Sequence, residues 1–311
     1  MSAVIQAVPP PTELRPAPLR PRKYSRLGDY AILLKMRVTS LVVMTAWTGY
    51  CLGAQRAQTP AFSWKFLCAM LGIGLVSGGA AAMNQVIERE IDGRMQRTRR
   101  RPIPGQRIGV VEATAVGMVC ILAGAAYLAI TTNVLTGILS VLTAAAYVGV
   151  YTPLKMRSPI CTTIGALPGA MPPLLGWTAA RGRVEWEALV LFAILFLWQF
   201  PHFLAIAWMY REDYARAGLQ MLPPSDLEGR FTSCEILVFT VALLPVSVLP
   251  VFMGHAGLIY FCGAMALGLF FLHSGARLAI SRSKLLARRL LLASIIYLPV
   301  VFGLMMVDRI I

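Results

Sequence analysis

The chain has 311 residues, of which 57% are hydrophobic and only 14% charged, and its mean hydropathy is +0.67. A soluble domain carries about 25% charged residues, so this composition excludes an ordinary soluble fold and indicates a membrane protein. The net charge of +15 raises nucleic acid as a partner, but the placement of the charges along the chain argues against it.

The first 35 residues are rich in proline and arginine and have no apolar stretch, so they do not form a secretory signal. They read as a disordered basic arm, 1–35, on the cytoplasmic surface. Residues 36–311 then form one intramembrane domain. Nine apolar segments follow in order: Val38–Ala54, Phe66–Met83, Ile108–Ile130, Leu135–Tyr151, Ile160–Trp177, Leu189–Met209, Ile236–Met253, Gly257–Leu272 and Leu290–Val307. Each comes close to the roughly 20 residues that a bilayer crossing needs. The expected fold is all-α: a polytopic membrane protein with about nine transmembrane helices. The segment from Ile160 is interrupted by Gly165, Pro168, Gly169, Pro172 and Pro173. Such breaks are tolerated where the freed backbone faces protein or a cavity, so this helix is a candidate cavity wall.

With the N-terminus inside, 24 of the 29 lysines and arginines fall on the inner side and 5 on the outer. That bias places the N-terminus in the cytoplasm and the C-terminus outside, and it explains the charge without nucleic acid. The six cysteines (51, 68, 120, 161, 234 and 262) form no CxxC pair and lie mostly in apolar runs. They are expected to pack, with neither disulfides nor a metal site indicated.

Three inner stretches carry chemistry. In NQVIEREIDGRMQRTRRRPIP, Asn84 to Pro104, the residues Asn84, Glu88 and Asp92 are spaced four apart. On a continuing helix they share one face, drifting about 40° per step. Stacked oxygen acceptors of this kind suit a hard divalent cation such as Mg²⁺. Arg94, Arg97, Arg99, Arg100 and Arg101 follow at once, and arginines hold phosphate well. The pairing suggests a site for a lipid diphosphate. Each arginine also fits a plain topology signal, and a salt bridge from Glu88 to Arg89 or Arg94 is the alternative for the acids.

The second stretch is YTPLKMR, Tyr151 to Arg157, at the inner end of the fourth segment. Lys155 and Arg157 could cover a diphosphate and Tyr151 could donate a hydrogen bond to it; an ordinary basic flank with an interfacial tyrosine fits equally. The third runs from Trp198 to Pro223. His202 lies within a span, where it is either a packing histidine or a contact to a porphyrin. Glu212 and Asp213 form a second acidic pair, either on the surface or at a second Mg²⁺.

Together these stretches resemble the UbiA superfamily of intramembrane prenyltransferases. The pattern NxxxExxxDxxMxRTxxRPxP is present as Asn84, Glu88, Asp92, Met95, Arg97, Thr98, Arg101, Pro102 and Pro104. YTPLK, GAMPPLLGW, WQFPHF and EDYARAGLQMLP are similar to its haem-farnesylating branch, the protoheme IX farnesyltransferases. The resemblance runs from Asp29 to about Ile311. Glu88 stands where the superfamily commonly has Asp, Met36 where the branch usually has Pro, Cys161 where Asn is common, and Ala217 where many relatives have a second Asp.

The resemblance implies a helical bundle around a central cavity, working as a Mg²⁺-dependent transferase. Asn84, Glu88, Asp92 and Asp213 would be the metal-holding and catalytic residues. Arg97, Arg101, Tyr151, Lys155, Arg157 and His202 would bind substrate, with His202 toward haem. The reaction implied is farnesyl transfer from farnesyl diphosphate to a vinyl group of haem B, with addition of water, giving haem O. The setting implied is the cell (inner) membrane, with the lipid bilayer as surroundings and the site facing the cytoplasm. Haem A synthase or oxidase assembly proteins would be partners, and nucleic acid would not. An aromatic prenyltransferase, a transporter of an anionic substrate and a non-catalytic haem scaffold are the competing readings.

Overall fold

The computed structural model describes residues 25–308 except 224 and 227. Its helices are α1 (Arg26–Leu33), α2 (Met36–Arg56), α3 (Trp64–Ile87), α4 (Arg89–Arg94), α5 (Val110–Thr131), α6 (Val134–Ala145), α7 (Thr152–Leu154), α8 (Cys161–Arg181), α9 (Trp186–Met209), α10 (Arg211–Ala217), α11 (Arg230–Phe252), α12 (Leu258–Ser281) and α13 (Lys284–Val307). A π-helical turn, Ala146–Tyr151, joins α6 to α7. No strand occurs among the described residues.

Local chemistry sets several helix starts. Ser63 accepts the Phe66 N–H at the head of α3, Asn133 accepts the Thr136 N–H at α6, and Ser283 accepts the Leu286 N–H at α13. Each satisfies a donor that the first turn leaves unpaired.

Among the described residues, seven helical segments are long and apolar enough to cross a membrane. An eighth is added if α1 and α2, bent by 51° at their junction, count as one broken span. The protein is therefore an integral membrane protein. The expected count of nine is not reached by this measure, and the difference lies in α8. Its glycines and three internal prolines dilute its apolar character, and most of its residues are buried between neighbouring helices instead of facing lipid. Gly49 of α2 lies against the Pro173 carbonyl of α8, and Gly176 of α8 lies against the Ala46 carbonyl of α2. A Cβ at either position would overlap that backbone, so the glycines are what permit the close approach.

Two apolar clusters fill the interior. One joins α8, α9, α11, α12 and α13 through side chains such as Trp177, Phe200, Phe271 and Tyr297. The other joins α2, α3 and α5 through Ala46, Ile73, Ile121 and Leu128. Leu139 of α6 and Met171 of α8 pack against both. Large apolar side chains such as Val111, Ile130, Phe252 and Ile280 are turned outward, the arrangement expected where the surroundings are lipid.

The segment read as a disordered arm is helical at its end. Ser25 caps α1, Leu33 is buried, Tyr30 donates to Glu112, and Asp29 pairs with Arg107 at 2.9 Å. These contacts dock α1 onto the start of α5, so the domain begins before residue 36. Residues 1–24 of the expected arm lie outside the described residues.

Candidate functional site

α3 does not continue unbroken through the first stretch. It ends at Ile87, Glu88 turns at φ −84° and ψ 4°, and α4 begins at Arg89. The helical hydrogen bonds nevertheless persist across the turn. Glu88 N–H donates to the Asn84 carbonyl at 3.0 Å, and Asp92 N–H donates to the Glu88 carbonyl at 2.8 Å. The three acceptors therefore stay stacked one turn apart, and all three are buried.

Each acceptor meets a cation or a polar clamp. Lys35 Nζ donates to Asn84 Oδ1 at 2.6 Å, Lys155 Nζ to Glu88 Oε1 at 2.7 Å, and Arg101 Nη1 to Asp92 Oδ2 at 2.6 Å. Glu88 thus pairs with Lys155 from a distant segment, not with Arg89 or Arg94; Arg89 pairs with Glu90. Lys35, which sequence reasoning did not select, joins this cluster. It sits at the α1–α2 bend in the left-handed region, φ 45° and ψ 49°, and the bend brings it to α3.

The π turn positions the second stretch. Such turns add a residue to a helix and are common at functional sites. Thr152 Oγ1 donates to the Tyr147 carbonyl at 2.8 Å and accepts from Asn84 Nδ2 at 3.2 Å, which fixes the Asn84 amide. Lys155 Nζ lies 4.4 Å from the centre of the Tyr151 ring. Tyr151 therefore contributes a ring face to this cation. Gly165 of α8 abuts that ring.

The third stretch closes onto the other two. Gln220 N–H donates to the Lys155 carbonyl at 2.8 Å, and Gln96 N–H donates to Asp213 Oδ1 at 3.3 Å. Ile91, Met95, Ala207, Tyr214 and Ala217 form a small apolar cluster beneath them. Cys161 is buried with Sγ 3.9 Å from the Gln220 carbonyl oxygen, and so seats this loop.

Not every expected residue reaches the cluster. Asp213 is turned to Gln96 and to Arg216 at 3.0 Å, and exposed Glu212 pairs with Lys284 at 2.9 Å. Arg97 is exposed and lies over the Tyr210 ring, 5.8 Å from its centre. Arg157 is exposed and makes no ion pair among the described residues. His202 lies on α9, seven residues before the helix end, or about 10 Å along the axis.

Burial and charge compete at the acids. Burial alone would raise the Glu88 carboxyl, but Lys155 and Lys35 hold it below its ordinary value. Burial pushes the Asp92 carboxyl up in spite of Arg101. Burial works to lower the Lys155 ammonium, yet Tyr151 and Glu88 hold it above the usual lysine range. The cluster therefore favours Glu88 ionised beside a charged Lys155.

Amide and carboxylate oxygens with no sulfur or imidazole suit a hard divalent cation, so the Asn84, Glu88 and Asp92 donors fit Mg²⁺ chemically. Among the described residues no three His, Cys, Asp or Glu side chains meet at one point. The stack is a row of oxygen donors, each already accepting from a protein cation, with Glu88 and Asp92 in ion pairs and the neutral Asn84 amide in a hydrogen bond.

The family model of UbiA prenyltransferases matches residues 42–298. The chain belongs to the UbiA prenyltransferase family. As a member it is a membrane-embedded transferase. It is 50% identical over 297 residues to a protoheme IX farnesyltransferase of Koribacter versatilis, covering 93% of this chain and 96% of that protein. The fold matches a digeranylgeranylglyceryl phosphate synthase with a TM-score of 0.76 at 18% identity, covering 91% of this chain and 98% of the other. It also matches a UbiA homologue from Archaeoglobus fulgidus bound to DMAPP and Mg²⁺, with a TM-score of 0.63 at 15% identity over 90% and 99% of the two chains.

Proposed function

We propose that this UbiA-family chain transfers a farnesyl group from farnesyl diphosphate to a vinyl group of protoheme IX, giving haem O. The observation that carries the reading is the buried row of Asn84, Glu88 and Asp92 met by Lys35, Lys155 and Arg101 at one end of the bundle. The 50% identity to a protoheme IX farnesyltransferase supports the acceptor.

Asn84, Glu88 and Asp92 would hold Mg²⁺, and Asp213 of α10, held at the Gln96 N–H, would have to turn from Arg216 to join them. Bound there, the metal would supply Lewis-acid stabilisation of the departing diphosphate. Lys35, Lys155 and Arg101 stabilise the same developing charge with preorganised donors. Arg97 and Arg157, exposed at the rim, draw the anionic substrate in. Tyr151 holds Lys155 in place through its ring. The apolar walls of the bundle keep water from the allylic cation until the vinyl group attacks. Water then adds to give the hydroxyethylfarnesyl group. His202 contacts the haem.

The charge bias of the loops supports a cell-membrane orientation with the N-terminus and the site in the cytoplasm and the C-terminus outside. The functional unit spans 36–311 together with docked α1. Haem A synthase or oxidase assembly proteins would take the product.

The test is an assay of the purified protein in detergent with haem B, farnesyl diphosphate and Mg²⁺, read by product mass. A haem product heavier by farnesyl plus water, abolished by EDTA, supports the reading. Prenylation of a hydroxybenzoate with haem left unchanged overturns it.

A further inference from the structure

The His202 imidazole is held on three sides by protein. Trp198, one turn earlier on α9, stacks on it with ring centres 4.6 Å apart at 26°. Phe203 meets it edge-on at 5.4 Å. Nδ1 lies 2.8 Å from Ser294 Oγ of α13. The Trp198 indole N–H donates to the Ser294 main-chain carbonyl at 2.8 Å, tying the same two residues of α9 to one residue of α13. Ser294 itself is fully buried. Its single hydroxyl hydrogen has a second possible acceptor, the Leu291 carbonyl at 2.7 Å.

A serine hydroxyl can donate only once. If it donates to His202 Nδ1, the contact to Leu291 is lost as a hydrogen bond. If it donates to Leu291, its oxygen accepts from Nδ1–H and both bonds form. In an apolar interior the arrangement that satisfies both groups is favoured. His202 then carries its proton on Nδ1 and a free lone pair on Nε2. Nε2 has no hydrogen-bond partner among the described residues and is not among the enclosed polar atoms that lack one. An unpaired nitrogen at membrane depth, with its ring orientation fixed, is built to meet something that enters beside α9 and α13.

We propose that Ser294 is a positioning residue that fixes His202 as the Nδ1–H tautomer, so that Nε2 ligates the iron of the haem acceptor. The inference rests on haem B being the acceptor and goes beyond it by assigning an iron ligand and its support. The Nε2 lone pair enters the iron coordination sphere, and no proton or electron is transferred. An Nδ1–H donated to oxygen raises the basicity of a ligating histidine and fixes its ring, and loss of such a partner typically weakens metal affinity by about 10- to 100-fold.

The experiment titrates haem B into the full-length protein in detergent and records visible and resonance Raman spectra without farnesyl diphosphate. The wild type is expected to show an iron–histidine vibration that His202→Ala loses and added imidazole restores. Ser294→Ala should keep the vibration at lower frequency with haem bound about 10-fold more weakly, and Ser294→Thr should restore both. An unchanged iron–histidine signal in His202→Ala, or a wild type with no such signal, overturns the ligand assignment. A Ser294→Ala spectrum and affinity equal to wild type overturns the positioning role. Farnesyl diphosphate and Mg²⁺ are then added to the same samples and the product mass is read. Expected spectra with no farnesylated haem after that addition keep the ligation of iron by His202 and its support by Ser294, and overturn the proposed transfer.

Discussion

Lys155 donates to Glu88 Oε1 at 2.7 Å although the two residues are 67 positions apart. Both are nearly buried, so each supplies the charge that makes the other tolerable. Removing one partner of such a pair typically costs about 3–5 kcal/mol, whereas replacing both by apolar side chains is often neutral. Lys155→Met is therefore expected to lower thermal stability in detergent sharply. Lys155→Met with Glu88→Met should recover most of it. Prenyl transfer should fall at least about 100-fold in both, because neither keeps the donor to the diphosphate. Melting curves and product assays on the same preparations check this.

Asp92→Asn keeps the shape of the side chain and an oxygen for Arg101, so the fold is expected to remain. Its capacity for a divalent cation falls with the lost charge. Transfer should drop to background, while the melting temperature stays close to wild type. Chelation should have the same effect on the wild type and be reversed by Mg²⁺. Full activity in the variant would remove Asp92 from the metal site.

At the opposite end of the bundle, Glu185 accepts from Arg181 at 2.7 and 3.0 Å, from Trp177 at 3.0 Å and from Arg183 at 2.9 Å. The Arg181 bond, against the effect of burial, holds this carboxyl down to about 2 from its ordinary 4.5. A carboxyl with a lowered folded value stabilises the fold above the unfolded value and loses that contribution as pH falls through the folded one. The contribution is thus complete above about 4.5 and lost toward about 2. Glu185→Gln should melt lower than wild type at pH 6, and the two curves should approach each other as the pH is lowered through this window.

Gly176→Val would drive a side chain into the Ala46 carbonyl. Overpacking usually costs about 1–3 kcal/mol, and a clash with backbone sits at or above the upper end. The variant should melt lower, with weaker transfer, whereas Gly303→Ala, where a Cβ meets nothing within 4 Å, should not.

Much of the site was legible because it depends on local spacing. Asn84, Glu88 and Asp92 share a face through the four-residue repeat, and that survives the turn at Glu88 because the hydrogen bonds carry across it. Lys155 was legible as a basic residue at an inner helix end. Lys35 was not, because its approach to Asn84 depends on a 51° bend and a left-handed backbone that no apolar pattern encodes. Ser294 is hidden for a similar reason, lying 92 residues from the histidine it touches. Tyr151 was selected for its hydroxyl; that its ring also lies against Lys155 is a contact that spacing does not show. In the fold, the segment from Ile160 was counted among the nine spans and its prolines marked it as unusual; that most of α8 is buried among other helices is not visible in an apolar pattern.

The extra residue in the turn Ala146–Tyr151 splits one membrane crossing into two helical phases, offset by about 100°. A wheel drawn through Val134–Leu154 as a single helix therefore superimposes two unrelated faces, one chosen for lipid and the other for Asn84 and Glu88. Deleting one residue from the turn would leave length and apolarity adequate for a crossing, yet it would swing Thr152 and Lys155 out of reach of their partners. At this end of the molecule the chemistry depends on a count of residues as much as on their identities.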